Sequence, residues 1–309
     1  MLITVVTPTY NEETNIAKVY EQVKNVFTKI KDIDYIHLFI DNNSKDNSQL
    51  ILRKIAKEDK KVKVILNRSN YGHIRSPFHA IKQTNSDATI FLVCDLQDPP
   101  EVILEFIERW KKGSKLVVGV KKSSKENPSI FFLRKVYYKI LNSITSENLQ
   151  ENFLGFGLYD REVVNFLKSI DDPEPYLRGI VIESGFEPDV VYYDQEKRKK
   201  GFTKNNFLTL YDLALIGITS YSKAPLRIIV LISFLIAFIS FSISLIYLIY
   251  KLLYWNEFQL GVAPIIILFT FLFSIILFFL GIIGEYILSI HVRLRNRPLV
   301  LEKERINFD

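Results

Sequence analysis

The stretch FLVCDLQDPPE, residues 91–101, combines an apolar run with a cluster of oxygen-bearing side chains. Asp95 and Gln97 point the same way at the end of the predicted strand, because alternate residues of a strand share a face, and Asp98 lies nearby. A hard divalent cation that carries a diphosphate needs few protein oxygens, since phosphates and water complete its shell. These residue types at this spacing predict a site for Mg²⁺ or Mn²⁺ with Asp95 and Gln97 as protein ligands.

The same stretch also has a purely structural interpretation. In that interpretation Asp98 is the N-cap of the next helix and Pro99 lies in its first turn, an order that suits a helix start. The two interpretations are compatible, because the cap needs Asp98 whereas the metal needs Asp95. Both stay open on the sequence alone.

Three further polar segments, TPTYNEE, DNNS and NRSNYGH, also come directly after predicted strands. In open parallel sheets, ligands bind outside the carboxyl ends of the strands. We therefore expect these segments to line one site together with the acidic stretch. No G-x-G-x-x-G motif follows the first strand, which argues against a dinucleotide-binding oxidoreductase.

The elements that must position these segments alternate along the chain. Apolar and β-branched runs such as LITVVT and YIHLFID are each followed by a segment with apolar residues at helical spacing, and this unit occurs four times. Strands that alternate with helices of this length predict an α/β fold with a Rossmann-like, mostly parallel sheet. The alternation ends after the run KLVVGVKK.

Two later segments, SIFFLRKVYYKILNSI and NNFLTLYDLALIGITSYSK, mix aromatic, aliphatic and basic residues at helical spacing. This composition is typical of helices that lie in the membrane interface, so we predict interfacial helices here. Ordinary amphipathic helices of a protein core are the alternative.

Two long apolar runs follow, at residues 225–250 and 262–283. Arg227 is the one charged residue in the first run, and the second run has none. Each run exceeds the roughly 20 residues that cross a hydrocarbon core, which predicts two transmembrane helices, with a buried helical hairpin as the alternative. The connector has Lys251 as its single basic residue, whereas both outer flanks are basic, so both chain ends are predicted to be cytoplasmic.

The bulk composition agrees with membrane attachment. Hydrophobic residues make up 48% of the 309, and the formal net charge is +6. Anionic lipid attracts basic faces, so we assign this charge to a membrane surface and expect no nucleic-acid partner. The single cysteine, Cys94, is predicted to pack as a small apolar side chain in a reducing compartment. Residues 1–7 lack a basic leader, so no cleavable signal is expected.

The segments TPTYNEE, DNNSKDNS, NYGH and DLQDPPE, in this order and ahead of two apolar runs, resemble the motifs of family 2 glycosyltransferases with the GT-A fold. Within that family the chain is most similar to the polyprenyl-phosphate glycosyltransferases. The resemblance implies a nucleotide-sugar donor and a polyprenyl-phosphate acceptor. It places Pro8, Tyr10, Glu12 and Asp41 around the nucleotide base and ribose, and Asp95 and Gln97 at the metal and the diphosphate.

Cations are expected near both phosphate groups. The segment RKKGFTK resembles the family's R-x-x-G-x-S-K motif, which implies that Arg198 and Lys204 bind the donor diphosphate; a basic loop near anionic lipid is the alternative. Lys121 and Arg134 are assigned to the acceptor phosphate, with a solvated lysine and a snorkelling arginine as the alternatives. Both residues, together with Asp95, are predicted to be catalytic. His73 either contacts the diphosphate or caps a helix.

The chain departs from the family pattern at two places. Val93 stands where the family has the first aspartate of Asp-x-Asp, and Gly155 and Gly157 replace the aspartate and arginine of the family's GDFRL. A lipid phosphate is already anionic and needs no base, which favours a single displacement with inversion. A hydroxyl acceptor, or a catalytically weak membrane-tethered scaffold subunit, remains as the alternative.

These inferences define a domain organisation for a multi-pass protein of the inner (cytoplasmic) membrane. Gly281 and Gly284 in the second apolar run would permit close helix packing, so a homo-oligomer is possible. The sequence does not choose the sugar, or UDP over GDP. The predicted units are a cytoplasmic GT-A domain (1–205), an interfacial helix (206–224), two transmembrane helices with an outward connector (225–290) and a cytoplasmic basic tail (291–309).

Overall fold

The computed structural model of the protein describes residues 1–122, 153–195, 262–294 and 298–308, together with scattered helical positions between 231 and 253. Some of the predicted features lie outside these residues. They are the two interfacial helices, the basic loop, most of the first apolar run, and the side chains of Arg134, Arg198 and Lys204.

A single mixed sheet is the centre of the described fold. Its strands are β1 (Leu2–Thr9), β2 (Asp34–Asp41), β3 (Val62–Asn67), β4 (Ala88–Phe91), β5 (Leu116–Lys121), β6 (Phe153–Asp160), β7 (Pro188–Tyr193) and β8 (Glu302–Ile306). They are ordered β7-β5-β6-β4-β1-β2-β3-β8, and among them β6 and β8 run against the others. The prediction of an α/β fold with a mostly parallel sheet is confirmed.

Helices cover both faces of this sheet. They are α1 (Ile16–Thr28), α2 (Ser48–Glu58), α3 (Gly72–Lys82), α4 (Ile103–Lys111), α5 (Arg161–Ser169) and α6 (Leu177–Glu183). The chain also forms a long helix, α7 (Val262–Leu294). The helices α1, α2 and α4 bury apolar residues in a cluster on one face, whereas α3, α5 and α6 do so on the other. On α1, for example, Val19, Val23 and Phe27 are buried at helical spacing. Because helices occupy the two faces of the sheet, the polar loops lie at the ends of the strands.

The acidic stretch after β4 differs from its predicted structure. The strand ends at Phe91 rather than at Asp95, and the helical segment begins with a 3₁₀ turn at Pro100–Val102. The prediction that Asp98 is the N-cap is wrong, because the turn has no side-chain cap and Asp98 accepts a hydrogen bond from Tyr193 instead. For an N-cap at Asp98, Pro100 at the N2 position has no N–H group to donate, which leaves the amide of Glu101 at N3 as the one backbone donor for its side chain.

The C-terminal tail contains a strand that the sequence did not reveal. β8 pairs antiparallel with β3 and forms one edge of the sheet. Its charged side chains have matched partners: Arg53 contacts Glu304 through two N···O distances of 2.6 Å, and His79 Nε2 lies 2.6 Å from Glu302 Oε1. Asn307 continues this attachment by donating to the carbonyl of Ala56 at 2.6 Å. The end of the chain is thus part of the folded domain.

α7 overlaps the second predicted membrane span. Its described side chains include exposed apolar residues such as Phe269, Phe273 and Phe278. Within the part of the chain that the structure describes, no helix combines the length with the apolar character that a membrane crossing requires. Both membrane spans therefore stay predictions.

His37 is a completely buried titratable group in the middle of β2. Its Nε2 lies 3.0 Å from Thr7 Oγ1, and its ring stacks on Phe39 with the centroids 4.0 Å apart. Nδ1 has no hydrogen-bond partner among the described residues. Burial lowers the pKa of His37 to about 3, so the folded domain holds a neutral imidazole.

We expect mild acid to destabilise the protein through His37. Above about pH 6.5 the imidazole is neutral in both states and contributes no pH dependence. Between pH 6.5 and about 3 the unfolded chain binds a proton that the folded chain excludes. The free energy of unfolding should therefore fall by roughly 1.4 kcal/mol per pH unit from this group. Urea unfolding of the full chain between pH 7 and pH 5 measures the slope.

The matched comparison is between His37→Phe and His79→Gln. The first substitution should remove the contribution of His37 to the slope. The second changes a half-buried histidine that contacts Glu302 and leaves His37 in place, so it should keep that contribution. An unchanged slope in His37→Phe would show that the acid dependence comes from other groups.

Candidate functional site

The four polar segments that follow β1 to β4 meet at one edge of the sheet. Residue pairing aligns Thr9 with Asp41 and Asp41 with Leu66, so the ends of β1, β2 and β3 lie side by side. β4 pairs with β1 on the other side, through Val6 and Phe91. Because these strands are parallel, their following loops converge, and the predicted gathering of the segments is confirmed.

Asp41 lies at the end of β2 and is completely buried. Its two carboxylate oxygens accept from the amide of Ser44 at 2.9 Å, the Ser44 hydroxyl at 2.5 Å, the Gln49 amide at 2.9 Å and the Thr9 hydroxyl at 3.4 Å. The carboxylate therefore fixes its own loop. A ribose hydroxyl would have to replace one of these donors, so the predicted ribose contact of Asp41 stays a prediction.

The loop after β1 is tied to the loop after β2 by reciprocal hydrogen bonds. The Asn11 amide donates to Ser44 Oγ at 2.8 Å, and the Lys45 amide donates to Asn11 Oδ1 at 2.8 Å. Asn11 has a positive φ of 54°, a conformation that asparagine tolerates better than most residues. The Glu12 amide donates to Ser48 Oγ at 2.9 Å. This network holds Glu12 next to the half-buried Tyr10 and near Pro8 at the strand end.

Asn42 organises the third loop and was missed by the sequence reasoning. Its Oδ1 accepts from the Tyr71 amide at 2.9 Å and from Asn67 Nδ2 at 3.2 Å, while its Nδ2 donates to Asn70 Oδ1 at 2.7 Å and to the carbonyl of Gly72 at 3.1 Å. The signal available in the sequence was the paired asparagine of DNNS. One buried amide thus joins the end of β2 to the NYGH segment.

His73 is the second residue of α3, so it is not the cap of that helix. Desolvation lowers the pKa of His73, and the nearby charge of Arg178 lowers it further. The imidazole is therefore neutral near pH 7 and could donate one hydrogen bond to a phosphate oxygen. The predicted diphosphate contact stays a prediction.

The segment that follows β4, residues 92–98, is called the Asp95 loop here. Cys94 is buried in the core, and Leu96 packs against the same apolar cluster, while Asp95 and Gln97 are half-buried at the edge. Asp95 Oδ1 accepts from the Gln97 amide at 3.1 Å. Burial raises the pKa of the Cys94 thiol, and the carboxylates of Glu12 and Asp95 add to this rise.

The Asp95 loop offers a minimal rather than a complete metal site. Among the described residues, no group of three histidine, cysteine, aspartate or glutamate side chains could hold a metal ion. Val93 packs against the apolar cluster under α3, so this position serves packing and supplies no oxygen. Asp95 and Gln97 provide one carboxylate and one amide oxygen. This set fits a cation that arrives with a diphosphate, because Mg²⁺ commonly uses one or two carboxylates plus phosphates and water.

Asp98, the last residue of the Asp95 loop, is a buried carboxylate that contacts Tyr193 of β7. The Tyr193 hydroxyl donates to Asp98 Oδ1 at 2.5 Å, and Asp98 is 3% exposed. Lys121, at the end of β5, is paired with Tyr193 in the sheet and is also buried. Burial raises the pKa of Asp98, although the Tyr193 hydrogen bond and the Lys121 charge both lower it. Lys121 is thus placed beside Asp98, and its predicted contact with an acceptor phosphate stays a prediction.

Gly155 and Gly157 lie inside β6. A Cβ on Gly157 would be 2.5 Å from the carbonyl oxygen of Val117 in the neighbouring strand. Gly155 has a φ of +100°, and a Cβ there would lie 3.4 Å from the ring of Phe91. Of the two positions that carry an aspartate and an arginine in the resembled motif, Gly155 is therefore disfavoured for a side chain by its φ, and Gly157 by its close approach to Val117.

Comparison with known proteins agrees with this geometry. The sequence profile described as Glycosyl transferase family 2 matches residues 4–167. The uncharacterized glycosyltransferase YkcC of Bacillus subtilis (strain 168) is 33% identical over 300 residues, which cover 96% of this chain and 92% of that protein. The SfII prophage-derived bactoprenol glucosyl transferase of Shigella flexneri is 33% identical over 307 residues, which cover 98% of both.

Solved structures with a similar fold include glucosyl-3-phosphoglycerate synthase from Mycobacterium tuberculosis in complex with Mn²⁺, uridine-diphosphate and phosphoglyceric acid. It is 16% identical, with a TM-score of 0.45, and the match covers 70% of this chain and 74% of that chain.

Proposed function

The chain belongs to glycosyl transferase family 2 and is a glycosyltransferase, and we propose that it transfers a sugar from a UDP- or GDP-linked donor to a polyprenyl phosphate at the cytoplasmic face of a membrane. The observation that carries the proposal is the similarity to a bactoprenol glucosyl transferase over 98% of both chains. This similarity extends beyond the nucleotide-binding part into the C-terminal apolar runs, where a lipid acceptor would be recognised.

The described residues supply the donor side of this reaction. The loops fixed by Asp41 and Asn42 shape the edge of the sheet where the nucleotide would lie. Asp95 and Gln97 would hold a divalent cation next to the diphosphate. When bound, Mg²⁺ or Mn²⁺ would neutralise negative charge on the leaving nucleoside diphosphate.

The acceptor side is proposed to need no general base. A lipid phosphate oxygen attacks the anomeric carbon as the bond from that carbon to the diphosphate breaks, and no proton has to be removed from the nucleophile. This chemistry agrees with the two glycines of β6, because the φ of +100° at Gly155 disfavours a side chain and a Cβ on Gly157 would lie 2.5 Å from the Val117 carbonyl oxygen. A single displacement of this kind inverts the anomeric configuration.

Transfer to a hydroxyl acceptor is the second candidate, and it requires a base near the sugar. Asp98 is 3% exposed and already accepts from Tyr193, so it is poorly placed to deprotonate an acceptor. We propose that the membrane spans, the interfacial helices and a homo-oligomer assist binding of the lipid. Arg134, Arg198, Lys204 and Lys121 are proposed to contact the two phosphate groups.

The choice of acceptor is tested by comparing polyprenyl phosphate with the corresponding polyprenol, using the purified full-length protein and the same donor. We expect product from the phosphate and none from the alcohol. The anomeric configuration of the product should be opposite to that of the donor. Equal use of polyprenol would favour the hydroxyl-transfer candidate, and a product with the donor's configuration would exclude a single displacement.

A further inference from the structure

We propose that Tyr193 is a positioning residue for the donor site: its hydroxyl, through Asp98, holds the Asp95 loop in the geometry that presents Asp95 and Gln97. The inference rests on the proposed function, because it assigns a support to the residues that would bind the cation and the diphosphate. No role for Tyr193 follows from the sequence motifs.

Tyr193 is a rigid anchor because it belongs to the sheet. It is the last residue of β7, and its carbonyl accepts from the Lys122 amide at 2.9 Å, next to the end of β5. Its ring packs edge-on against Phe156 of β6, with the centroids 5.4 Å apart. The residue is 5% exposed. Burial raises the pKa of Tyr193 far above its ordinary value, so the hydroxyl stays protonated and donates.

The Asp95 loop needs such an anchor. The Leu92 amide still donates to the carbonyl of Val6 at 3.0 Å, but the chain then leaves the sheet. Leu96 has a left-handed φ of 59°, which costs a leucine about 1 kcal/mol or more. The hydrogen bond from the Gln97 amide to Asp95 is local and does not fix the loop to the sheet.

Asp98 ends the loop and connects it to β7. The Tyr193 hydroxyl lies 2.5 Å from Asp98 Oδ1, one residue after Gln97 and three after Asp95. This contact spans 95 positions in the chain and therefore joins the loop to a part of the fold that is distant in sequence. Ligand groups must be held within about 0.5 Å of a productive geometry, so a shift of this end of the loop would weaken cation binding.

The test uses Tyr193→Phe, which removes one oxygen atom, and Tyr192→Phe as the matched control. Tyr192 is the neighbouring residue on β7, and it is 57% exposed. Amide hydrogen exchange of the full-length protein without ligand gives the first readout. We expect the amides of residues 92–98 to exchange about tenfold faster in Tyr193→Phe, because the Asp95 loop would open more often without its hydrogen bond to β7. The amides of β1 and β2 should keep their rates, because the domain as a whole would not unfold more often. Tyr192→Phe should match the wild type.

Calorimetric titration with UDP and with GDP, each with and without MnCl₂, gives the second readout. Tyr193→Phe should weaken Mn²⁺-dependent nucleotide binding by about tenfold, as is typical for residues that support metal ligands, and should leave binding without the cation unchanged. Asp98→Ala should cause the same loss, and the double variant should lose no more than either single variant.

Unchanged exchange in residues 92–98, or losses that add in the double variant, would overturn the inference. A general loss of stability would instead speed exchange in β1 and β2 and weaken both kinds of binding, which also contradicts a positioning role. These readouts do not depend on the acceptor. If the protein made no lipid-linked sugar, the proposed function would be refuted. The hydrogen-exchange result would still decide the role of Tyr193.

Discussion

Replacing Asp95 with asparagine is expected to lower sugar transfer by about a hundredfold or more, with little change in folding. Asp95 is half-buried, whereas Asp98, the other carboxylate of the Asp95 loop, is buried. Asparagine has nearly the same shape but no charge, so it would bind a divalent cation weakly. Losing one electrostatic group that stabilises a developing anion typically costs about 10²–10³ in rate.

The measurement is the rate of lipid-linked sugar formation at saturating donor, compared with Glu101→Gln as the control. Glu101 belongs to the same acidic stretch but is exposed on the 3₁₀ turn. We expect Glu101→Gln to keep near wild-type rates. Full activity of Asp95→Asn would remove Asp95 from the cation site. A cellular phenotype that survives this substitution unchanged would favour the alternative of a scaffold subunit.

Replacing Gly157 with alanine is expected to lower the free energy of unfolding more than the same substitution at Gly185. The added Cβ would lie 2.5 Å from the Val117 carbonyl oxygen, which is backbone of the adjacent strand and cannot rotate away. β6 lies between β4 and β5, so a shift of this strand disturbs both neighbours. We expect the free energy of unfolding to fall by about 3 kcal/mol or more.

Gly185→Ala is the control for this prediction. Gly185 has a positive φ of +76°, unlike Gly157, and a Cβ there would meet nothing within 4 Å. Its cost should be limited to backbone strain of about 1–2 kcal/mol. Denaturant unfolding of the full-length variants, followed by circular dichroism, measures both. A loss at Gly157 no larger than the loss at Gly185 would contradict the prediction, because it would show that the strand relieves the contact with Val117 at little cost.

The sequence predicted the overall α/β fold and the edge of the sheet where the four polar segments meet, because both depend on local patterns. Alternating strand and helix signals determined the parallel part of the sheet, and parallel strands bring their following loops to one edge. TPTYNEE, DNNS, NYGH and DLQDPPE were identified from their polar composition after apolar runs. Asp95 and Gln97 are at this edge in the structure.

The errors came from contacts between residues far apart in the chain. Asp98 has the sequence signature of a helix cap, yet its partner Tyr193 is 95 positions away. In the sequence, β8 belongs to the predicted basic tail. The residues that contact Glu302 and Glu304 lie on α3 and α2, and nothing within the tail segment itself indicates these contacts. Asn42, whose amide connects two loops, was not identified from the sequence. Local propensity carries no signal for such pairs.

The central claim is that this glycosyltransferase uses a polyprenyl phosphate as acceptor. The direct measurement incubates purified full-length protein with short-chain polyprenyl phosphate, Mg²⁺ or Mn²⁺, and a panel of UDP- and GDP-sugars, and quantifies released nucleotide and lipid-linked sugar together. The account predicts equal amounts of both products with at least one donor, and neither product when the cation is chelated. Nucleotide binding or release without any lipid-linked sugar across the panel would contradict it.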